Sequence, residues 1–397
     1  MKRIVYSACK SVFAGLAVML AGTFICCSER HRANDSEGTP IVPTIQQPMH
    51  VNFFIENSGS MVGYCNVKDS SALETLVDDY YERVRSSADT GDTITLNFIN
   101  TEIETFASDK TKYLNSIKSK CTAPYTKIDD MLSMMMETID GTDVNILISD
   151  YVFDSDNGNF QMASSKITSL FSRQLKEKNQ MGIAIFKYMR SFNGRYYPGG
   201  IPCRKPLPVY VWVFGQYDNV NRIAKLNYNT RNCGQYVLQL PLSPSYELSA
   251  KSKRVTEGKV LNVARWKKDR RNDYYEFEAT VDLTGALATT DFLMDVANYK
   301  ISSSTSSDYW LDRISREGDN KYKYTIRTAH PAPGEIRVSC PIISPSWIEE
   351  SNFMDTKTLP ADGTTLGISY LIGGVSKAYN DMSPNGANYF EITIKAQ

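Results

Sequence analysis

A chain of 397 residues is long enough to bury a sizeable core, and its length favours two domains over one. Lysine plus arginine and aspartate plus glutamate both number 44, so the formal charge is zero and gives no reason to expect a nucleic-acid partner.

Lys2 and Arg3 precede the apolar run SVFAGLAVMLAGTFICC, which reads as an export signal rather than a folded element. The run is marginal for a membrane span, and a polar segment follows at once. Its ending resembles the lipobox of bacterial lipoproteins, in which a diacylglycerol-bearing cysteine becomes the first mature residue. Of Cys26 and Cys27, Cys27 is the expected lipidation site, because its predecessor is small. Ser28 and Glu29 behind it resemble the acidic export tag of surface lipoproteins in some Gram-negative bacteria. Residues 1–27 are then a lipoprotein signal peptide, and 28–48, polar and punctuated by proline, a flexible tether. The implied location is the outer membrane, periplasmic or surface-facing, with the lipid as membrane contact. A plain secretory signal with incidental cysteines is the alternative.

An oxidising compartment permits disulfides. Cys203 with Cys233 and Cys65 with Cys121 are the pairs expected first. Cys340, alternating with Ile336 and Val338 on a strand pattern, is expected to stay free.

Residues 49–241 alternate apolar runs with amphipathic stretches. VNFFI (51–55), TITLNFI (93–99), VNILIS (144–149), GIAIF (182–186) and VYVWVF (209–214) suit parallel strands buried on both faces. Helical stripes run through Leu73, Leu76, Val77, Tyr80 and Val84, through Ile128, Met131, Leu132, Met135 and Ile139, and through Ala163, Ile167, Leu170, Phe171 and Leu175. Methionines 134–136 read as helix packing. IETF (103–106) fits an antiparallel edge strand after a tight turn. The expected fold is α/β, an open doubly wound and mostly parallel sheet.

Residues 242–397 show period-two alternation instead. Tyr275, Phe277, Ala279, Val281 and Leu283 share one face, and Tyr322, Tyr324 and Ile326, then Phe390, Ile392 and Ile394, repeat the scheme. That predicts an antiparallel β-sandwich. The charged stretches KSKRVTEGK and WKKDRR near its start read as solvated surface.

One stretch breaks the apolar pattern at a telling place. FFIENSGSMVGY (53–64) ends the first strand by delivering Glu56, Ser58 and Ser60 to the carboxyl edge of the sheet, where open α/β sheets place ligands. YTKIDD brings Thr126 to a helix start, and NILISD ends a later strand with Asp150. Short side chains at i and i+2 of an extended exit face one side and hold an ion close to the backbone. Mg²⁺ suits such a set, as a hard cation needing six oxygens in a small octahedron. The alternative is that Ser58 and Ser60 cap the following turn and helix.

The ordered set Glu56, Ser58, Ser60, Thr126 and Asp150 resembles the metal-ion-dependent adhesion site of the von Willebrand factor type A (VWA) domain, over residues 49–241. The resemblance implies Mg²⁺ or another divalent cation bound by the hydroxyls, with acidic residues acting directly or through water. It also implies an open position for a carboxylate of a protein or peptide partner. Glu56 departs from the family's aspartate, and its added methylene is expected to push the ion outward, force a water-mediated contact or abolish binding, so that Glu56→Asp tightens binding. The implied function is a lipid-anchored binding or adhesion protein of the cell envelope, not an enzyme. The alternatives are a scaffold that binds partners without metal, and a metal-assisted hydrolase.

Catalytic patterns are otherwise poor. The three histidines, His31, His50 and His330, join no Ser/His/Asp or Cys/His arrangement, and Cys65 has no apparent activating neighbour. DYVFDSDNGN, with Asp154 and Asp156, misses the glycine and glutamate positions of an EF-hand loop and reads as a solvated turn.

Overall fold

The apolar runs of the first half assemble into one seven-stranded sheet in the computed structural model. Described are residues 47–69, 72–124, 126–152, 159–178, 180–197, 199–227, 233–268, 273–305 and 308–397. The expected signal peptide with Cys27, most of the tether, and Asp154 and Asp156 lie outside the described residues.

The first part runs β1 (His50–Glu56), α1 (Val62–Cys65), α2 (Leu73–Ser86), β2 (Thr93–Ile99), β3 (Ile103–Thr105), α3 (Lys110–Lys120), α4 (Ile128–Glu137) and β4 (Val144–Ser149). It continues through α5 (Phe160–Glu177), β5 (Met181–Tyr196), β6 (Ile201–Gln216), α6 (Tyr217–Lys225) and β7 (Cys233–Leu238). Every residue of β4 is buried, as a strand covered on both faces requires. Leu73, Leu76, Val77, Tyr80 and Val84 form the buried face of α2, and Met135 and Met136 of α4 belong to the core.

The strand order is β3-β2-β1-β4-β6-β5-β7. β1 pairs in parallel with β2 and with β4, and β3 is the antiparallel edge strand expected at 103–106. Beyond β4 the expected parallel arrangement is corrected. β6 lies antiparallel between β4 and β5, and β7 is antiparallel to β5. An apolar run buried on both faces reads alike in either direction, so strand sense is not in the pattern. The connection carries the missing signal, since Gly199 and Gly200 close a tight turn and no crossover helix separates the two strands. Ser149 of β4 sits opposite Tyr210, so β5 and β6 run on for about 30 Å past the carboxyl edge of the parallel strands.

The second part contains β8 (Tyr246–Ser249), β9 (Thr256–Glu257), β10 (Val260–Leu261), β11 (Tyr275–Asp282), α7 (Thr290–Met294), β12 (Lys300–Ser303), β13 (Tyr309–Arg316), β14 (Lys321–Thr328) and β15 (Gly334–Pro341). Then come α8 (Trp347–Glu350), β16 (Asn352–Phe353), β17 (Thr365–Leu366), α9 (Ile368–Asp381) and β18 (Asn388–Ala396). The strands form a four-stranded antiparallel sheet, β13-β14-β11-β8, and a five-stranded one, β12-β15-β18-β10-β9, in which β10 and β18 are parallel. The two meet where Tyr324 packs on Phe390, ring centroids 6.1 Å apart.

Residues 346–382, expected within the β region, return instead to the α/β layer. α9 packs along α5, with Thr168 Oγ1 donating to Gly374 O at 3.0 Å, and Tyr379 donates to Met181 O at 3.2 Å. Lys187 Nζ of β5 donates to Ser351 Oγ and Gly363 O, and Lys205 of β6 to Pro360 O. Residues 47–397 accordingly form one unit rather than parting at residue 241.

The disulfide expected between Cys203 and Cys233 is also corrected. Cys203 pairs with Gly194 on one side of β5 and Cys233 with Tyr188 on the other. Those β5 positions alone are about 20 Å apart, far beyond the roughly 7 Å that a disulfide spans. Cys65, Cys121, Cys203 and Cys340 carry free thiols.

Adjacent glycines of α9 test this packing. A Cβ on Gly374 would meet Ser164 O at 2.6 Å, whereas one on Gly373 meets nothing within 4 Å. Gly374→Ala should lower unfolding stability by about 1–3 kcal/mol through overpacking. Gly373→Ala should raise it by up to about 1 kcal/mol through helix propensity. Urea denaturation of the two variants against the parent reads both.

Candidate functional site

Parallel pairing of β1 with β2 and β4 brings their carboxyl ends to one edge, with Ile55 opposite Ile148 and Glu56 opposite Ile99. Past Glu56 the chain turns along the loop that follows α3. Ser58 bridges Ala123, Gly59 N donates to Ala123 O at 2.8 Å, and Ala123 N donates to Asn57 O at 3.1 Å. These bonds set the Ser58–Ser60 turn beside the segment that carries Thr126. Ser58 precedes the turn without capping it through its side chain, and Met61 rather than Ser60 stands at the N-cap of α1. The capping alternative for the two serines is therefore not what the structure contains.

All five predicted residues join one hydrogen-bonded network. Thr126 Oγ1 donates to Glu56 Oε1, and Ser149 Oγ donates to Glu56 Oε2. Ser58 also bonds Glu56, and the Ser58 and Ser60 hydroxyls lie 2.8 Å apart. Ser60 bonds the Asp150 carboxylate, whose Oδ1 accepts from Val152 N at 3.1 Å. Ser149 is the member that the sequence reading missed. Its signal was a hydroxyl ending an apolar strand directly before Asp150.

The residue after Asp150 holds the turn. Tyr151 adopts φ 50°, a left-handed conformation rare outside glycine, and its ring stacks on Trp212 at 4.6 Å. Its amide donates to Ser149 Oγ at 2.8 Å. Such backbone strain, of order 1–3 kcal/mol, persists only where surrounding packing enforces it.

Two carboxyl groups thus sit out of water, and neither joins an ion pair among the described residues. Burial pushes Glu56 above the ordinary carboxylate range, against the lowering effect of its hydroxyl partners. Burial, and then the Glu56 charge, push Asp150 up to about 7. Tyr64, Tyr196 and Tyr210 are raised by burial first and by the charge of Asp150 after it, which places all three near Asp150.

In front of the carboxylates lies a cleft of about 490 Å³ lined by Ser58, Ser60, Thr126, Pro124, Tyr197 and Val152. The tip of the β5–β6 hairpin supplies Tyr197. The arm behind it rests on α1, where Phe192 packs edge-on to Tyr64 at 4.9 Å. Gly194 approaches Gly63 so closely that a Cβ would lie 2.7 Å from the Gly63 Cα.

Hydroxyl oxygens facing a cleft, with carboxylates behind them, fit a small hard cation. A hydroxyl that donates its proton inward to Glu56 turns its lone pairs outward. Among the described residues no three His, Cys, Asp or Glu side chains group to hold a metal, so the donor set is one of hydroxyls over two acids. His50 lies at the opposite end of β1, its Nε2 2.8 Å from Thr95 Oγ1.

The raised carboxyl of Asp150 gives a pH signature. The unfolded chain releases this proton near the ordinary aspartate value of 3.8, while the folded, cation-free site keeps it to about 7. Its contribution to folding stability is therefore fully present below about pH 4 and lost as pH rises toward 7. Thermal melts in EDTA should show Asp150→Asn gaining on the parent across that window, with the difference flat above it. Parallel melting curves would show that the carboxyl is unshifted.

Comparison with protein-family models and with curated proteins finds no match to this chain, so the reading of the site rests on its geometry.

Proposed function

We propose that the chain is a lipid-anchored binding protein of the cell envelope, whose cleft holds a divalent cation and through it a carboxylate of a protein or peptide ligand. One observation carries this reading: Ser58, Ser60 and Thr126 line an open cleft directly over two buried acids that have no cationic partner among the described residues. A divalent cation would supply the missing positive charge and an open position for an anionic oxygen. Ser58, Ser60 and Thr126 would hold it, with Glu56 and Asp150 behind them orienting the hydroxyls and setting the field.

The order β3-β2-β1-β4, with its antiparallel edge, supports the likeness to a VWA domain, and the inserted β6 departs from the expected sheet. The contact of Tyr324 with Phe390 supports a β-sandwich for the second part, as spacer or second contact surface. Lipid on Cys27 would anchor the whole chain to the outer membrane.

Glu56 favours a specific role. Its carboxylate spans Thr126 on one side and Ser149 on the other, so the extra methylene provides reach. That reverses the effect expected from sequence, and Glu56→Asp should loosen the site. The same satisfied carboxylate favours a second reading, a scaffold that binds partners without metal.

Melting the protein in EDTA and in excess Mg²⁺, Mn²⁺ or Ca²⁺ separates the two. An ion at about 100 times its Kd should stabilise the fold by about 2.7 kcal/mol. Ser58→Ala and Thr126→Ala should abolish the shift and Glu56→Asp should reduce it. A folded preparation that no ion shifts would rule out the cation and leave the scaffold. For the anchor, Cys27→Ala should move the protein from the membrane fraction to the soluble one.

A further inference from the structure

Cys65 is the last residue of α1, immediately beyond the Ser58–Ser60 turn, and Cys121 follows the last turn of α3, at the head of the loop that carries Thr126. Both side chains are buried, and the Cys121 thiol is hydrogen-bonded to that of Cys65. The Cys65 thiol also contacts Met61 O at 3.6 Å. The backbone bonds between Gly59 and Ala123 hold the two segments in register beside the pair. Cys203 lies on the hairpin arm and Cys340 packs against Tyr299 in the second part. The Cys65 thiol and burial push the Cys121 thiol far up, so Cys121 does not suit a nucleophile working in the folded core.

We propose that Cys65 and Cys121 are a disulfide site, whose bond staples the turn carrying Ser58 and Ser60 to the loop carrying Thr126. The two thiols interact directly, and the backbone bonds at Gly59 and Ala123 keep their segments side by side, so a bond between them would draw the sulfurs together to roughly 2.05 Å. The chemistry is thiol–disulfide exchange with a disulfide oxidant. One cysteine thiolate attacks the oxidant and expels one thiol, forming a mixed disulfide. The other cysteine then attacks that mixed disulfide and expels the second thiol. Two protein thiols and one oxidant disulfide thus become one protein disulfide and two small thiols. Because the sulfurs are buried, exchange accompanies folding or a local opening of the loop. The assignment stands apart from the cation reading, since it needs no metal.

The test refolds the full chain in a buffer of reduced and oxidised glutathione, alkylates it under denaturing conditions, and maps the peptides by mass spectrometry. The expected product links Cys65 to Cys121 and leaves Cys203 and Cys340 alkylated. The oxidised protein should melt several degrees above the same protein reduced with dithiothreitol, as expected for a bond that closes a long loop. Tryptic cleavage at exposed Lys127 should slow several-fold on oxidation. Full alkylation of both cysteines, or a link from either to another cysteine, would overturn the site. Equal tryptic rates in the two redox states would overturn the stapling. The reduced parent supplies the reference, so no variant has to fold.

Discussion

Glu56 is a carboxylate taken wholly out of water, and the edge of the sheet is arranged around that fact. Removing such a group from solvent costs several kcal/mol unless hydrogen bonds replace its hydration. Thr126, Ser149 and Ser58 supply those bonds from three separate segments. Each segment is fixed by something stronger than the site itself. Ser149 sits on a fully buried strand, Ser58 on a turn bonded to Ala123, and Thr126 on the loop just beyond it. The acidic pair can stay close because apolar and aromatic packing, chiefly Tyr151 on Trp212, prevents the edge from relaxing.

The hairpin and the returning segment form a second level of support. β5 and β6 extend past the edge of the parallel core and bring Tyr197 to the cleft. A two-stranded arm of that length would be marginally stable alone. Lys187, Lys205 and Tyr210 tie it to residues 351, 360, 363 and 365, while Phe192 clamps it on α1. The C-terminal part thus holds the wall of a cleft whose floor comes from the N-terminal part.

Much of the site was legible in the chain because its members interrupt strong patterns. Glu56 stops an apolar run, Ser58 and Ser60 share one side of an extended exit, and Asp150 ends a strand. Ser149 was passed over, since a serine at the end of a buried strand resembles an ordinary strand residue until Glu56 is seen against it. The role of the Glu56 methylene was also hidden, because reach depends on where Thr126 and Ser149 stand. The cysteines divide in the same way. Composition offers several pairings, and only the register along β5 parts Cys203 from Cys233.

By itself the sequence determined the cores of β1, β2 and β4, the buried faces of α2, α4 and α5, and which residues gather at the carboxyl edge of β1 and β4. Those follow from local period and from the chemistry of polar residues placed at strand ends. Only the tertiary structure decided that β6 inserts antiparallel between β4 and β5, and that α9 returns to lie on α5. The physical reason is that burial on both faces erases strand direction from an apolar pattern. The partner of an amphipathic face is likewise chosen by shape across the fold, at contacts such as Gly374 against Ser164, and by nothing local in the chain.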